Sequence, residues 1–488
     1  TWKDDMTEHM DTSGQLDRRQ LFIDGTWVEP AKGTTHEVIE ASTGRPFATT
    51  ALATSVDIDD AVAAARRALK GPWAQLTPTE RGERLSAFVA ALKARGQDTA
   101  ALVSRENGMP ISQSLVVNGG APSFIARYYA KVAATLELED VRPSPTGGDT
   151  LVVRGPVGVI AAVTPWNYPQ ALAIMKLAPA LATGCTVVLK PPPETALDAF
   201  VFAEAAQEAG LPPGVLNVVP GDRDAGAHLV EHPGVDKIAF TGSTGAGRVI
   251  GSTAGKLLRP VTLELGGKSV SLVAQDADLD LFASKLLEVS LPNNGQTCHA
   301  ATRILAPRSR YDEVVEAVTQ TVSGLVVGDP LDPATQIGPV VSQVQRERIL
   351  GYIEQGRSLG RLTTGGDAPE RDGWFVAPTV FADVDNSSVI AQEEIFGPVL
   401  VVTPYGDEDE AIALANDSDY GLGGVVWSAD AAHGLALARR IETGSVGVNH
   451  YELHVNAPFG GVKSSGVGRE LGPEGLEPYL MAKSIYRR

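Results

Sequence analysis

The sequence predicts an α/β fold with a doubly wound parallel sheet, followed by a second α/β domain. Between residues 151 and 267, five short apolar runs alternate with four helical segments. Strands that are apolar along their whole length are buried on both faces, which is typical of parallel sheets covered by helices on each side. The chain also contains 51 glycines and 32 prolines, which favour many tight connections between such elements.

The region 151–267 supplies the elements of the doubly wound sheet. Its predicted strands cover 157–163, 186–189, 215–219, 235–240 and 261–265. Its predicted helices cover 170–183, 194–210, the stretch around 223–232, and a segment that begins at 242–247. Because ligands bind at the carboxyl ends of parallel strands, this arrangement is the expected frame of a nucleotide site.

The region 269–447 repeats this alternation less regularly and predicts the second α/β domain. Its predicted strands cover 269–274, 302–306, 375–380, 399–403, 423–427 and 445–448. Its predicted helices include 309–325, 342–359 and 430–443. Residues 140–149, which contain prolines and glycines, are predicted to form a turn or an arm, and the tail after Gly472 is a second candidate arm.

Charge and cysteine content exclude several classes of protein. The chain has 41 Lys and Arg against 59 Asp and Glu, a net charge of −18, which argues against a nucleic-acid or anionic-membrane partner. Two cysteines, Cys185 and Cys298, cannot form a disulfide scaffold, so we expect a cytoplasmic protein. The most apolar stretch, 171–189, is interrupted by Lys176, Pro179 and Gly184, which predicts a buried helix and strand instead of a membrane span.

Two turns at predicted strand ends could bind ligands. Gly242–Gly247 follows a strand and opens a helix, where small residues let a phosphate approach backbone N–H groups; the alternative is a plain tight turn. Thr164–Pro169 follows the first strand and offers the amide of Asn167; the alternative is a simple Asx turn.

Two further residues could carry chemistry. Glu264 ends a strand before two glycines, so an apolar setting could raise its pKa enough for general-base work; the alternative is a salt bridge. Cys298 follows the polar turn Asn293–Thr297 and is a candidate nucleophile, whereas Cys185 lies in an apolar run and is assigned to the core.

Two histidine pairs resemble zinc motifs. His228 and His232 flank a Glu in an H-x-x-E-H pattern, and His450 and His454 lie four residues apart. Neither pair has an evident third ligand, so we predict no metal site.

Taken together, these motifs resemble the aldehyde dehydrogenase superfamily across residues 16–488. Six matches occur in the family's order, at 165–169, 240–243, 264–268, 295–298, 393–399 and 458–470. The resemblance implies a Rossmann-type cofactor domain (16–130 and 150–263), a catalytic domain (264–463) and a small β oligomerisation arm (131–149 and 464–488). The polar residues 1–15 are predicted to be a disordered tail.

The resemblance also implies a reaction. Cys298 attacks the aldehyde carbon to give a thiohemiacetal, while Asn167 and the Cys298 backbone N–H hold the oxyanion. After hydride transfer to the nicotinamide, Glu264 activates the water that hydrolyses the thioester. Lys176 and Glu470 match supporting positions, Glu470 in a proton relay.

For the cofactor, the resemblance assigns Lys190 to the adenine ribose, Gly242 and Ser243 to the pyrophosphate, and Glu394 with Phe396 to the nicotinamide ribose. The remaining matched positions are Thr164, Pro165, Trp166, Gly221, Phe240, Thr241, Leu265 and Gly266. Pro193 stands where many NAD-preferring relatives have a ribose-binding Glu. We expect NAD, but NADP stays an alternative, because without that carboxylate a 2′-phosphate is not repelled.

The positions that match the aldehyde tunnel are aromatic or apolar for the most part, and none is Arg or Lys. They are Tyr168, Met175, Thr297, His299, Tyr451, Leu453 and Phe459. This lining favours an uncharged aliphatic, terpenoid or aromatic aldehyde, and the aromatic rings leave a cationic betaine-type or amino-aldehyde as an alternative.

Two other functions compete with hydrolytic oxidation. A CoA-acylating relative would pass the acyl group to a thiol, but Glu264 favours water. A catalytically silent relative would lack Cys298, Glu264 or Asn167, and all three are present. The resemblance further implies a homodimer or a homotetramer that assembles through the arm.

Overall fold

The structure is a computed structural model that describes residues 16–488. The predicted tail at 1–15 lies outside the described residues. The described chain divides into two compact units, each formed from discontinuous segments. The first contains 16–106, 117–238 and 479–488, and the second contains 107–116 and 239–478.

The strands are numbered in chain order. They are β1 (Leu21–Ile23), β2 (Thr26–Val28), β3 (Thr35–Glu40), β4 (Arg45–Ala51), β5 (Glu139–Pro143), β6 (Asp149–Pro156), β7 (Val159–Val163), β8 (Thr186–Lys190), β9 (Leu216–Val218), β10 (Lys237–Thr241), β11 (Val261–Glu264), β12 (Val270–Val273), β13 (Arg303–Pro307), β14 (Arg361–Thr364), β15 (Thr379–Ala382), β16 (Val399–Tyr405), β17 (Tyr420–Gly421), β18 (Gly424–Trp427), β19 (Gly447–Val448), β20 (Val462–Lys463), β21 (Gly466–Val467) and β22 (Leu480–Arg487).

The α-helices lie between these strands. They are Ser55–Ala68, Pro72–Gln75, Pro78–Ala94, Gly96–Asn107, Ile111–Ser114, Ala121–Ala134, Pro169–Thr183, Phe200–Glu208, Arg223–Glu231, Thr244–Lys256, Leu279–Ser290, Tyr311–Ser323, Gln343–Gly356, Val389–Gln392, Glu408–Asn416, Ala431–Ala438 and Gly472–Leu476.

In the first unit, the predicted parallel strands pair as expected. β7 and β8 are fully buried and run parallel in the register Val159↔Thr186, and β8 continues parallel to β9. An antiparallel hairpin of β1 and β2 adds to the edge at β9. The sequence pattern did not predict this hairpin, because strands of three residues are too short to show a period.

In the second unit, a seven-stranded sheet has the order β14-β15-β16-β13-β12-β18-β19. All of its neighbours are parallel except β14 and β15, which confirms a second α/β unit. The strand predicted at 375–380 is displaced and lies at Thr379–Ala382. Pro378 explains the shift, because a proline without an N–H cannot donate within a central strand.

The predicted arm contains more regular structure than a turn. β6 pairs antiparallel with both β5 and β22 in a three-stranded sheet of the first unit. Its exposed apolar side chains include Val141, Met481 and Tyr486. Residues 464–478, which the prediction grouped with the arm, lie in the second compact unit.

The bounds of the two compact units differ from those of the predicted domains. Residues 239–263 lie in the second unit, although the sequence assigns them to cofactor binding. Compactness reports which segments contact each other and does not report what they bind. The cofactor and catalytic assignments therefore stay predictions. Among residues 16–488, every helix is too short or too polar to span a bilayer.

Gly158, which leads into β7, should be the least tolerant glycine of the first unit. Its φ is +135°, and a Cβ there would lie 1.9 Å from Oδ2 of Asp236. That carboxylate accepts the N–H of Val159 at 2.8 Å and an Arg66 guanidinium N–H at 2.7 Å. Gly158→Ala should therefore lower the free energy of unfolding by about 3 kcal/mol.

Denaturant unfolding followed by circular dichroism measures this loss. Gly155→Ala is the matched control, because a Cβ at Gly155 meets no atom within 4 Å. Equal stability of the two variants would contradict the account.

Candidate active site

Cys298 follows a turn with unusual backbone geometry. Asn293, Asn294 and Gly295 have φ values of +49°, +61° and +78°, so three consecutive residues occupy the left-handed region. Asparagine tolerates this region better than most residues, but each such position still carries strain. A stable turn of this shape requires compensating contacts.

Buried side-chain amides supply those contacts. The Asn294 amide donates to the carbonyls of Gly108 at 2.9 Å and Pro339 at 2.8 Å, and its oxygen accepts the N–H of Gly338 at 2.7 Å. Two residues later, Oε1 of Gln296 accepts the N–H of Val341 at 2.9 Å. These bonds hold the turn in one place, and Cys298 with it.

The segment after β11 approaches Cys298 closely. A Cβ on Gly267 would lie 2.2 Å from the carbonyl oxygen of Cys298, so only glycine fits there. Glu264, at the end of β11, is 2 % exposed. The second unit therefore brings the predicted nucleophile and the predicted base together.

The surroundings keep the Cys298 thiol protonated at neutral pH. Desolvation, and then the charges of Glu394 and Glu264, raise the pKa of the thiol far above its usual range. The backbone N–H groups of His299 and Cys298 act in the opposite direction. Attack by sulfur consequently requires a proton acceptor.

The predicted pyrophosphate turn lies at the start of the helix Thr244–Lys256. Ser243 caps this helix through its hydroxyl, which accepts the N–H of Ala246 at 3.3 Å. Gly242 donates its N–H to the Glu264 carbonyl at 3.0 Å. A capped helix start that follows a buried strand suits an anionic phosphate.

The Glu394 carboxylate lies beside the segment that follows β11. Its Oε1 accepts the N–H of Gly267 at 2.9 Å. Desolvation raises the pKa of Glu394 to about 7, although Gly267, Arg348 and Lys268 act to lower it. Phe396, two residues later, has a φ of +63°. A carboxylate held in this way can accept two ribose hydroxyls.

Three of the predicted substrate residues form an aromatic cluster. The rings of His299 and Tyr451 stack with centroids 4.9 Å apart, and Phe459 meets His299 edge-on at 6.1 Å. The Tyr451 hydroxyl lies 2.6 Å from the Ser445 hydroxyl. Desolvation lowers the pKa of His299 to about 4, so this wall is uncharged at neutral pH.

The other predicted residues of the second unit are distributed differently. The Thr297 hydroxyl donates to the Pro292 carbonyl at 2.9 Å. Glu470 is buried, and its backbone pairs in both directions with that of Phe459 at 2.7 Å. Leu453 lies partly exposed in the same segment as Tyr451.

In the first unit, the predicted residues follow two parallel strands. Thr164–Tyr168 succeed β7 and lead into the helix Pro169–Thr183, every residue of which is buried, including Met175 and Lys176. Asn167 is 3 % exposed. The side chains therefore lie at the carboxyl end of β7, where the pattern predicted a site.

Lys190 ends β8 and contacts a neighbouring loop. Its ammonium donates to the Gly221 carbonyl at 2.8 Å, so the structure brings these two predicted residues together. Desolvation lowers the pKa of Lys190 to about 8, against the opposing charges of Glu194 and Asp222. Pro193 opens a 3-10 turn, and the side chain of Glu194 is exposed.

The histidine pair at 228 and 232 has another partner. Both Nε2 atoms approach Oδ1 of Asp59, at 2.6 Å and 3.3 Å. Within the part of the chain that the structure describes, no group of three or more His, Cys, Asp or Glu side chains is arranged to hold a metal ion.

Sequence reasoning missed the residues that hold the site in place. In the sequence, Asn294 is only one residue of the polar turn Asn293–Thr297, and neither Arg348 nor Ser445 belongs to a motif. The only available signal was the run of polar residues 293–297, because amides beside a nucleophile are candidates for buried hydrogen bonds.

Known proteins resemble this chain along nearly its whole length. The model of the aldehyde dehydrogenase family matches residues 27–485. The geranial dehydrogenase of Castellaniella defragrans is 54% identical over 96% of this chain and 99% of its own, and the chloroplastic betaine aldehyde dehydrogenase of Beta vulgaris is 39% identical over 96% of each chain. The crystal structure of a Mycobacterium tuberculosis aldehyde dehydrogenase complexed with NAD+ superimposes with a TM-score of 0.94 at 45% identity, covering 97% of this chain and 98% of that one.

Alkylation of Cys298 tests the electrostatics of the site. Glu394→Gln removes a negative charge that raises the pKa of the thiol, so the thiolate fraction at pH 8 should increase. We expect alkylation by iodoacetamide to become about threefold faster or more. Glu393→Gln is the matched control, since Glu393 is not among the groups that shift this thiol. Equal rates for the two variants would contradict the assignment.

Proposed function

The chain belongs to the aldehyde dehydrogenase family, and on that basis we propose that it oxidises an uncharged aldehyde to a carboxylic acid. The observation that carries the proposal is the Cys298 thiol within the field of two carboxylates, Glu264 and Glu394, in a loop fixed by buried amides. A lone structural cysteine needs neither a strained turn nor flanking bases.

The proposed reaction begins at sulfur. As the Cys298 thiol gives its proton to a water molecule, a carbon–sulfur bond forms to the aldehyde carbon and the carbonyl electron pair moves to oxygen. We assign the stabilisation of that oxyanion to the Asn167 amide and the Cys298 N–H. Bound nicotinamide cofactor supplies the two-electron acceptor.

The second half of the reaction returns the free thiol. Glu264 accepts a proton from water, the water oxygen attacks the acyl carbon of the thioester, and the carbon–sulfur bond breaks to release the acid while the sulfur takes up the proton held by Glu264. We assign Lys176 and Glu470 to supporting roles, with Glu470 in proton relay. A CoA-acylating reaction would replace water by a thiol and would not require the base.

The donor set suits a nicotinamide dinucleotide. The helix start at Gly242 and Ser243 suits the pyrophosphate, Lys190 suits ribose hydroxyls or phosphate, and the Glu394 carboxylate suits two hydroxyls. The NAD+ complex of the Mycobacterium tuberculosis relative supports NAD. Pro193 supplies no carboxylate against a 2′-phosphate, so NADP is the second candidate.

The substrate proposed is an uncharged terpenoid or aromatic aldehyde. The uncharged stack of His299 and Tyr451, with Phe459 across it, supports an apolar substrate. The likeness to the geranial dehydrogenase supports the same class. A betaine-type aldehyde is the second candidate, supported by the Beta vulgaris relative and by the attraction of cations to aromatic faces.

The protein is further proposed to form an oligomer and to act in the cytoplasm. The exposed apolar residues of the β5, β6 and β22 sheet support a homodimer or homotetramer built through this arm. Two free cysteines support a reducing compartment such as the cytoplasm.

Initial rates with NAD and NADP test the proposal directly. The substrates are geranial, benzaldehyde, betaine aldehyde and succinic semialdehyde. We expect kcat/KM to be highest with NAD and geranial or benzaldehyde, because the ring cluster carries no charge to pair with a carboxylate. Preference for the semialdehyde would overturn the substrate class, and production of acyl-CoA instead of free acid would overturn the hydrolytic step.

Cys298→Ala tests the covalent step. Oxidation should fall by at least about 10³-fold, because the nucleophile is lost, while the Kd for the cofactor stays within about threefold of the unmodified enzyme. Cys185→Ala is the control, since Cys185 is fully buried in the first unit and should leave the rate unchanged. Appreciable oxidation by Cys298→Ala would rule out a covalent mechanism.

A further inference from the structure

The helix Gln343–Gly356 binds the segment 393–397, which carries Glu394. The Arg348 guanidinium donates to the carbonyl of Glu394 at 2.6 Å and also to the carbonyl of Ile395. It lies 5.0 Å from the ring centre of Tyr352, one helical turn later, and the Tyr352 hydroxyl donates to the Glu393 carboxylate. Two side chains of one helix therefore bind three consecutive residues.

The backbone of the segment 393–397 is strained, so it needs contacts from outside the segment to keep its conformation. Phe396 has a φ of +63°, a conformation that a bulky L residue rarely adopts. The next residue approaches the same helix, since a Cβ on Gly397 would lie 2.4 Å from Cδ1 of Ile349. Strained backbone of this kind persists only where surrounding contacts fix it, and here Arg348 supplies two of them.

The position of the Glu394 carboxylate depends on this backbone. Its carboxylate reaches the Gly267 N–H at 2.9 Å, and Gly267 in turn lies against the Cys298 carbonyl. A side chain of this length has several rotatable bonds, so displacement of its backbone by an ångström moves the carboxylate off that N–H. The position of the carboxylate beside the nucleophile is set from the helix behind it.

We propose that Arg348 is a positioning residue that holds Glu394 in place to accept the ribose hydroxyls of the nicotinamide dinucleotide. The inference rests on the proposed function, because it assumes that Glu394 binds the cofactor. Arg348 bonds to backbone carbonyls, so its effect passes through Glu394 and not through contact with the cofactor.

Arg348 also acts on the charge of Glu394. The groups that face this carboxylate are Arg348 from the helix, Lys268 from the loop after β11 and the Gly267 N–H, all of which favour the ionised form. On the other side, the charge of Glu394 acts on Cys298 and Tyr420, and the Glu393 carboxylate is its sequence neighbour. Because desolvation sets the pKa of Glu394 to about 7, its ionised fraction changes within the working range of pH.

The direction of the pH effect follows from this balance. The ionised carboxylate is the better acceptor for two hydroxyls, so cofactor affinity should fall as the pH drops through 7. Loss of the Arg348 cation removes an interaction that lowers the pKa of Glu394, so the midpoint of that fall moves to higher pH.

Arg348→Met and Arg346→Met form a matched pair for the test. Both arginines lie on the helix Gln343–Gly356 and both donate to a backbone carbonyl, but Arg346 donates to Phe375 at 3.1 Å, away from the segment 393–397. The measurement is the Kd for NAD by intrinsic fluorescence from pH 6 to 9, with KM for NAD and kcat alongside.

We expect Arg348→Met to raise the Kd about tenfold at pH 8 and to move the midpoint up by about one pH unit. Arg346→Met should match the unmodified enzyme. Arg348→Lys, which keeps the charge but lacks the two-pronged donor, should raise the Kd without moving the midpoint; it also serves as the test should Arg348→Met fail to fold, as judged by circular dichroism.

The outcomes separate this inference from the proposed function. If the unmodified enzyme binds NAD and the Arg348 variants bind it equally well, positioning by Arg348 is wrong and the proposed function stands. A higher Kd for Arg348→Met, with the pH midpoint unmoved, would mean that Arg348 contacts the cofactor itself and does not act through the Glu394 carboxylate. That result also overturns positioning. An unmodified enzyme that binds neither NAD nor NADP would overturn the proposed function.

Discussion

The turn before Cys298 depends on one buried amide. Asn294 is in the left-handed region, and its side chain satisfies two carbonyls and one N–H from two other segments of the second unit. Each left-handed residue costs on the order of 1 kcal/mol, and a fully satisfied buried amide offsets that cost while leaving no alternative arrangement of equal energy. Cys298, and the close approach of Gly267 to its carbonyl, take their positions from this turn.

Desolvation governs the chemistry of the same region. It raises the pKa of Cys298 and Glu394 and lowers the pKa of Lys268 to about 7 and that of His299 to about 4. Each of these groups moves toward its neutral form. In a site in this condition, small changes in neighbouring charge alter the state of Glu394 or Lys268, which favours proton transfers near neutral pH.

The fold followed from the sequence where burial imposes a pattern. The apolar runs that predicted β7, β8 and β12 are strands buried on both faces, and no tertiary contact was needed to recognise them. The predictions failed where other rules apply. The sheet of the arm is polar and exposed in β5, so it shows no burial pattern, and after Pro378 the strand β15 begins only at Thr379, near the end of the predicted run.

By itself, the sequence determined which residues are candidates for chemistry, because a cysteine after a glycine turn or a glutamate at a strand end is visible as a residue type at a spacing. Tertiary structure decided what holds those residues in place. Arg348 and Asn294 act through backbone carbonyls, and every residue has a carbonyl. A bond of that kind leaves no pattern in the chain, so only the approach of one segment to another determines it.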